Sequence, residues 1–95
     1  MARRIDEPVQ VALRQGGTEP AAFTWGKRRY AVERVEACWK EIGSWWDGEG
    51  ERTFFRVTAR HRAPAPGASL SPSAGVYELR FDHAAERWWL HEVVD

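Results

Sequence analysis

Between Arg52 and Arg60 the chain alternates residue by residue: Phe55, Val57 and Ala59 form an apolar row, while Arg52, Phe54, Arg56, Thr58 and Arg60 share the opposite face. A period of two is what a pleated strand with one buried side requires. The alternation returns in Val9, Val11 and Leu13 ahead of Gly16-Gly17, and in Tyr77, Leu79 and Phe81 ahead of a turn at residues 82–86. Phe23-Thr24-Trp25 and Arg29-Tyr30-Ala31-Val32 flank Gly26-Lys27, the form of a tight hairpin, and residues 88–94 supply a last strand.

Residues 32–42 admit two readings. Val32, Val35, Trp39 and Ile42 fit one helical face with Gly43 as its stop. Alternatively, a strand changes phase by a bulge at Glu33-Arg34, so that Val35, Ala37 and Trp39 continue its buried face. The bulged strand is preferred because both flanking segments read as β. The expected fold is therefore all-β: one antiparallel sheet of five to seven strands, curled into a barrel or half-barrel, with a short helix at 32–42 as the alternative. The 95 residues form a single β domain, 1–95, and the Pro-, Ala- and Ser-rich stretch at 61–74 reads as a mobile hairpin loop.

Six tryptophans in so short a chain, each able to bury about 150 to 250 Å², give a core of few, large side chains. The lone Cys38 cannot close an internal disulfide, and no apolar run approaches the length of a membrane span. The expectation is a cytoplasmic protein that does not enter the membrane.

The sequence offers little to an enzyme. Cys38, His61, His83 and His91 lack the close pairing of a metal site, so no metal or other cofactor is expected. A Cys38 nucleophile with His91 as its base is weaker than the plain reading of Cys38 as a small hydrophobe. Asp47, Asp82 and Asp95 fall at turns or the terminus, and no glycine-rich phosphate loop is present.

Two binding surfaces stand out instead. Lys27, Arg28, Arg29, Arg52, Phe54, Arg56 and Arg60 could hold single-stranded nucleic acid, the guanidinium groups on phosphates and the Phe54 ring against a base. Against this, the net charge is zero, and the arginines could equally pair with Glu78 or Glu92 on neighbouring strands. The second surface is aromatic. Adjacent tryptophans on a strand face opposite ways, so one of Trp45 and Trp46, and one of Trp88 and Trp89, should lie outside as an anchor for a partner protein.

Gly43-x-Trp45-Trp46-Asp47-Gly48, Arg52-x-Phe54-Phe55-Arg56-Val57, Tyr77-x-Leu79 and Trp88-Trp89-Leu90-His91 together form a pattern. It resembles the C-terminal domain of ImuB-type proteins, the catalytically degenerate Y-family polymerase relatives of bacterial SOS mutagenesis. A small stand-alone bacterial family of unknown function shares it, with an N-terminal half like Pro8-Val9 through Phe23-x-Trp25-x-x-Arg28-x-Tyr30-x-Val32. The resemblance covers about residues 8–94. Thr53 stands where that family often has an acid, and the Pro/Ala loop is longer than its usual turn. The resemblance implies a non-enzymatic accessory role in DNA-damage tolerance: contact with a DNA polymerase or another component of a translesion synthesis complex, or with single-stranded DNA.

Overall fold

The computed structural model describes residues 3–42, 50–62 and 74–94, with only the backbone described at residue 62. Six strands follow one another: β1 (Arg3–Leu13), β2 (Pro20–Trp25), β3 (Arg28–Ile42), β4 (Glu51–Arg62), β5 (Gly75–Asp82) and β6 (Arg87–Val93). Each pairs antiparallel with the next, and β6 returns to β1, closing a barrel. Residues 32–42 are strand, and no helix occurs among the described residues. His61 and Arg62 belong to β4, so the expected loop at 61–74 begins too early; residues 63–73 lie outside the described residues.

Alternation sets the barrel wall. Phe23, Tyr30, Val32, Phe55, Val57, Ala59, Leu79 and Leu90 form the buried core. A barrel of six strands encloses little volume, and large rings fill it. Phe23 stacks on Tyr30 with ring centroids 4.8 Å apart, and Tyr77 stands against both at 5.4 and 5.2 Å. Gly26, at φ +62°, starts the two-residue turn between the paired Trp25 and Arg28. At the β5–β6 turn Asp82 Oδ1 accepts the backbone N–H groups of Ala84 and Ala85.

β3 carries two bulges where one was expected. The register with β4 shifts between Val32 and Arg34, and again between Val35 and Ala37. The first shift keeps Val35 opposite the core residue Val57, as expected. The second corrects the rest of that reading. With Glu36 as an extra residue, Ala37 and Trp39 pair with Arg56 and Phe54 on the outer face, and Cys38 pairs with the inward Phe55. Both bulged carboxylates face outward and bond across the strands: Glu33 accepts Arg60 Nε at 2.8 Å, and Glu36 accepts the Thr58 hydroxyl at 2.7 Å. The Thr58 and Arg34 bonds hold the Glu36 carboxyl below its usual range.

Closure is uneven along the strands. β2 has six residues between the eleven of β1 and the fifteen of β3. Its ladder with β3 covers only Ala22 to Trp25 against Arg28 to Ala31. Beyond that point β3 pairs with β4 alone among the described residues.

Candidate binding face

Since Phe55, Leu79 and Leu90 point inward, their strand neighbours Phe54, Arg80 and Trp89 point out, and Trp39 joins them through the second bulge. The pairings Trp39 with Phe54, Phe54 with Arg80, and Arg80 with Trp89 place these four side chains in one row across β3, β4, β5 and β6. Trp39 stacks on Phe54 with centroids 5.4 Å apart and planes 3° from parallel. The Arg80 guanidinium lies 5.4 Å from the centroid of the Trp89 ring, and Arg56 approaches Trp39 at 6.0 Å. His91 meets the Phe54 ring edge-on at 5.1 Å.

Carboxylates occupy the cations of this face. Arg56 donates from Nε and NH2 to Glu78 Oε2 at 3.1 and 2.7 Å. Arg80 NH1 donates to Asp6 Oδ1 at 3.1 Å, and His91 Nδ1 lies 3.3 Å from the same oxygen. Asp6 reaches them from a bulge in β1, where its backbone sits at φ 51°, a conformation that aspartate tolerates better than most residues. The Nε of Arg80 and the indole Nε1 of Trp89 are enclosed without a hydrogen-bond partner among the described residues. An unmet donor of this kind costs about 1 to 3 kcal/mol.

The structure redistributes the residues singled out in the sequence. Trp88 and Trp89 do face opposite ways. Trp88 packs inward on Phe55 and Phe81, so of this pair Trp89 is the outward anchor and Trp88 belongs to the core. Trp45 and Trp46 lie outside the described residues. Phe54 sits on the outer side, as its alternation requires, but is only 4% exposed beneath Trp39 and His91; it is not a free ring for a base, which corrects that expectation.

The seven nucleic-acid candidates do not form one patch. Lys27, Arg28 and Arg29 are exposed at the β2–β3 turn, with Arg29 opposite Arg62 in register. Arg52 lies ten residues earlier on β4, roughly 34 Å away at about 3.4 Å per residue, opposite Glu41 and Asp82. Arg56 is bound to Glu78 and Arg60 to Glu33.

Cys38 faces the barrel mouth and His91 the outside, so these two do not form a nucleophile and base. Among the described residues no cluster of three or more His, Cys, Asp or Glu side chains could hold a metal ion. No helix among them is long and apolar enough to cross a membrane. Asp6 and Trp39 were not visible as residues of this face in the sequence, because bulges in β1 and β3 bring them to it; Arg80 was not singled out, Glu78 was named only as a possible arginine partner, and His91 only as a candidate base.

Fold and face together define a small closed antiparallel barrel with an aromatic and guanidinium band on its outside. The chain belongs to the family described as a domain of unknown function (DUF6504), whose sequence model matches residues 1–95. No curated protein and no solved structure matches it.

Proposed function

We propose that this barrel is a non-enzymatic accessory domain that binds a partner protein through the outer face of β3–β6. The observation that carries the reading is the outward row Trp39, Phe54, Arg80, Trp89. The core is supplied from inside; on the outside Trp39 covers Phe54, while Trp39 and Trp89 themselves remain half-buried at the surface. Tryptophan and arginine are the residues that dominate protein interfaces. The carboxylates on Arg56 and Arg80 leave little free positive charge on this face for phosphates.

The resemblance to the ImuB-type C-terminal domain supplies the setting: bacterial DNA-damage tolerance, with a DNA polymerase or another translesion synthesis component as the partner. Capture from DNA-damaged cells, with captured proteins identified by mass spectrometry, tests this. The intact domain is expected to retain such a component, and Trp89→Ala to lose at least tenfold of it while the thermal midpoint shifts by only a few degrees. Equal capture by Trp89→Ala would refute the face.

A second reading, single-stranded nucleic-acid binding, is favoured by one observation, the exposed Lys27, Arg28 and Arg29 at the β2–β3 turn. Capture that survives Trp89→Ala but is lost on nuclease treatment or on Arg28→Glu would establish it instead.

A further inference from the structure

In a barrel of consecutive antiparallel strands, the starts of β1, β3 and β5 and the ends of β2, β4 and β6 share one end. Arg3 and Arg4 open β1 there, beside Lys27, Arg28 and Arg29 of the β2–β3 turn. Arg3, Lys27, Arg28 and Arg29 are exposed, and none of them pairs with a carboxylate among the described residues. The carboxylates close by are committed: Asp6 to Arg4 and Arg80, Glu7 to the Trp25 indole N–H, and Glu33 to Arg60. Glu92 stands opposite Arg4 in the β1–β6 register. Of the undescribed residues that adjoin this end, 1–2, 63–73 and 95, only Asp95 has a charged side chain. At the opposite end acids prevail, Glu19, Glu41, Glu51, Asp82 and Glu86 among them. A chain of zero net charge is thus charged unevenly along the barrel axis.

The other side chains at the basic end narrow its ligand. Among the described residues the large apolar side chains found exposed, Leu13 and Ile42, both sit at the acidic end. A protein partner or a lipid tail therefore finds no apolar centre beside these cations. The rings here are closed to bases as well: Phe23 and Tyr30 are buried, and Trp25 is half-buried with its N–H on Glu7. Single strands are held by stacking their bases on open rings, so contact at this end falls to phosphates alone. A duplex presents them most densely, about one charge per 1.7 Å of axis, and the guanidinium fork matches phosphate oxygens in pairs.

We infer that this end of the barrel rests on the phosphate backbone of double-stranded nucleic acid without reading its bases. The surface is separate from the Trp39–Trp89 face. Arg29 and Trp39 are ten residues apart on β3, roughly 34 Å at about 3.4 Å per residue, so a partner protein and a duplex do not compete. The single-strand reading uses the same turn but a different ligand.

The probe is a labelled short duplex of mixed sequence, titrated beside its own single strand by fluorescence anisotropy at several salt concentrations. The duplex is expected to bind more tightly than the strand, with affinity indifferent to sequence. The slope of log affinity against log salt should be about −3, since each phosphate neutralised contributes about 0.9. Arg28→Glu with Arg29→Glu should weaken binding at least tenfold at low salt and flatten that slope by about two. Both side chains are exposed, so the thermal midpoint should hold. Arg14→Glu with Arg87→Glu, equally exposed at the acidic end, is the control and should leave most of the binding intact.

No binding at low salt, tighter binding of the single strand, equal binding of polyglutamate or of phosphatidylserine vesicles, or equal loss in the control would each overturn the inference. Tighter single-strand binding would at the same time favour the second reading. None of these outcomes bears on the Trp89→Ala capture, which tests the outer face alone.

Discussion

Phe23→Ala is expected to lower the unfolding free energy by about 3 to 5 kcal/mol, the usual cost of truncating a fully buried ring. Phe23 is 1% exposed and makes the closest ring contacts at its end of the barrel, stacked on Tyr30 and edge-on to Tyr77. Rings built on three different strands cannot easily close over the gap, because each is fixed by its own ladder. Domains of this size hold only about 5 to 15 kcal/mol in total, so the variant should sit near the limit of folding. Urea denaturation followed by tryptophan fluorescence measures the loss. Leu13→Ala, at a side chain 46% exposed, is the control and should cost under about 1 kcal/mol. A loss below about 1 kcal/mol for Phe23→Ala would mean that this aromatic end is not a packed core.

The barrel itself was legible because its alternating rows survive in the chain: Phe55, Val57 and Ala59 face the core, with Leu79 from the next alternating run. Bulges were legible only in part. A phase change at Glu33 shows in the sequence because Val32 and Val35 cannot otherwise share a face. The extra residue at Glu36 leaves no such mark, since Ala37, Cys38 and Trp39 can each be placed on either side. That single residue decides whether Trp39 joins the core or the outer row.

The first half of β1 was missed for a related reason. Arg3-Arg4-Ile5-Asp6-Glu7 shows no alternation because its partner β6 buries only Ile5 of the five and a bulge interrupts the register. The opposed directions of Trp88 and Trp89 followed from the pleat alone. Which of them faced out depended on the barrel's curvature and on Phe55 and Phe81 waiting inside.

Burial of Phe54 came from the same source as the position of Trp39. A lone outward phenylalanine on β4 would be exposed, and it is the tryptophan shifted by the second β3 bulge that covers it.

Arg56→Ala should destabilise the fold by about 1 to 3 kcal/mol rather than weaken nucleic-acid binding. Its guanidinium makes two bonds to Glu78, a carboxylate only 5% exposed and directly opposite Glu92 in the β5–β6 register. Removing the arginine leaves a buried negative charge facing a like charge across the strands, both unfavourable. Because the Arg56 side chain is itself 45% exposed, the loss should fall short of the full cost of breaking a buried pair. Glu78→Leu in the same chain removes the stranded charge and should recover most of the stability, a coupling that a double-mutant cycle reads directly. Titration of the intact domain and of Arg56→Ala with a single-stranded oligonucleotide at several salt concentrations completes the test. Equal salt slopes are expected, since a guanidinium committed to Glu78 neutralises no phosphate. A slope smaller by about one unit in Arg56→Ala, with stability unchanged, would mean that Arg56 releases Glu78 to hold the strand, and would return this face to nucleic acid.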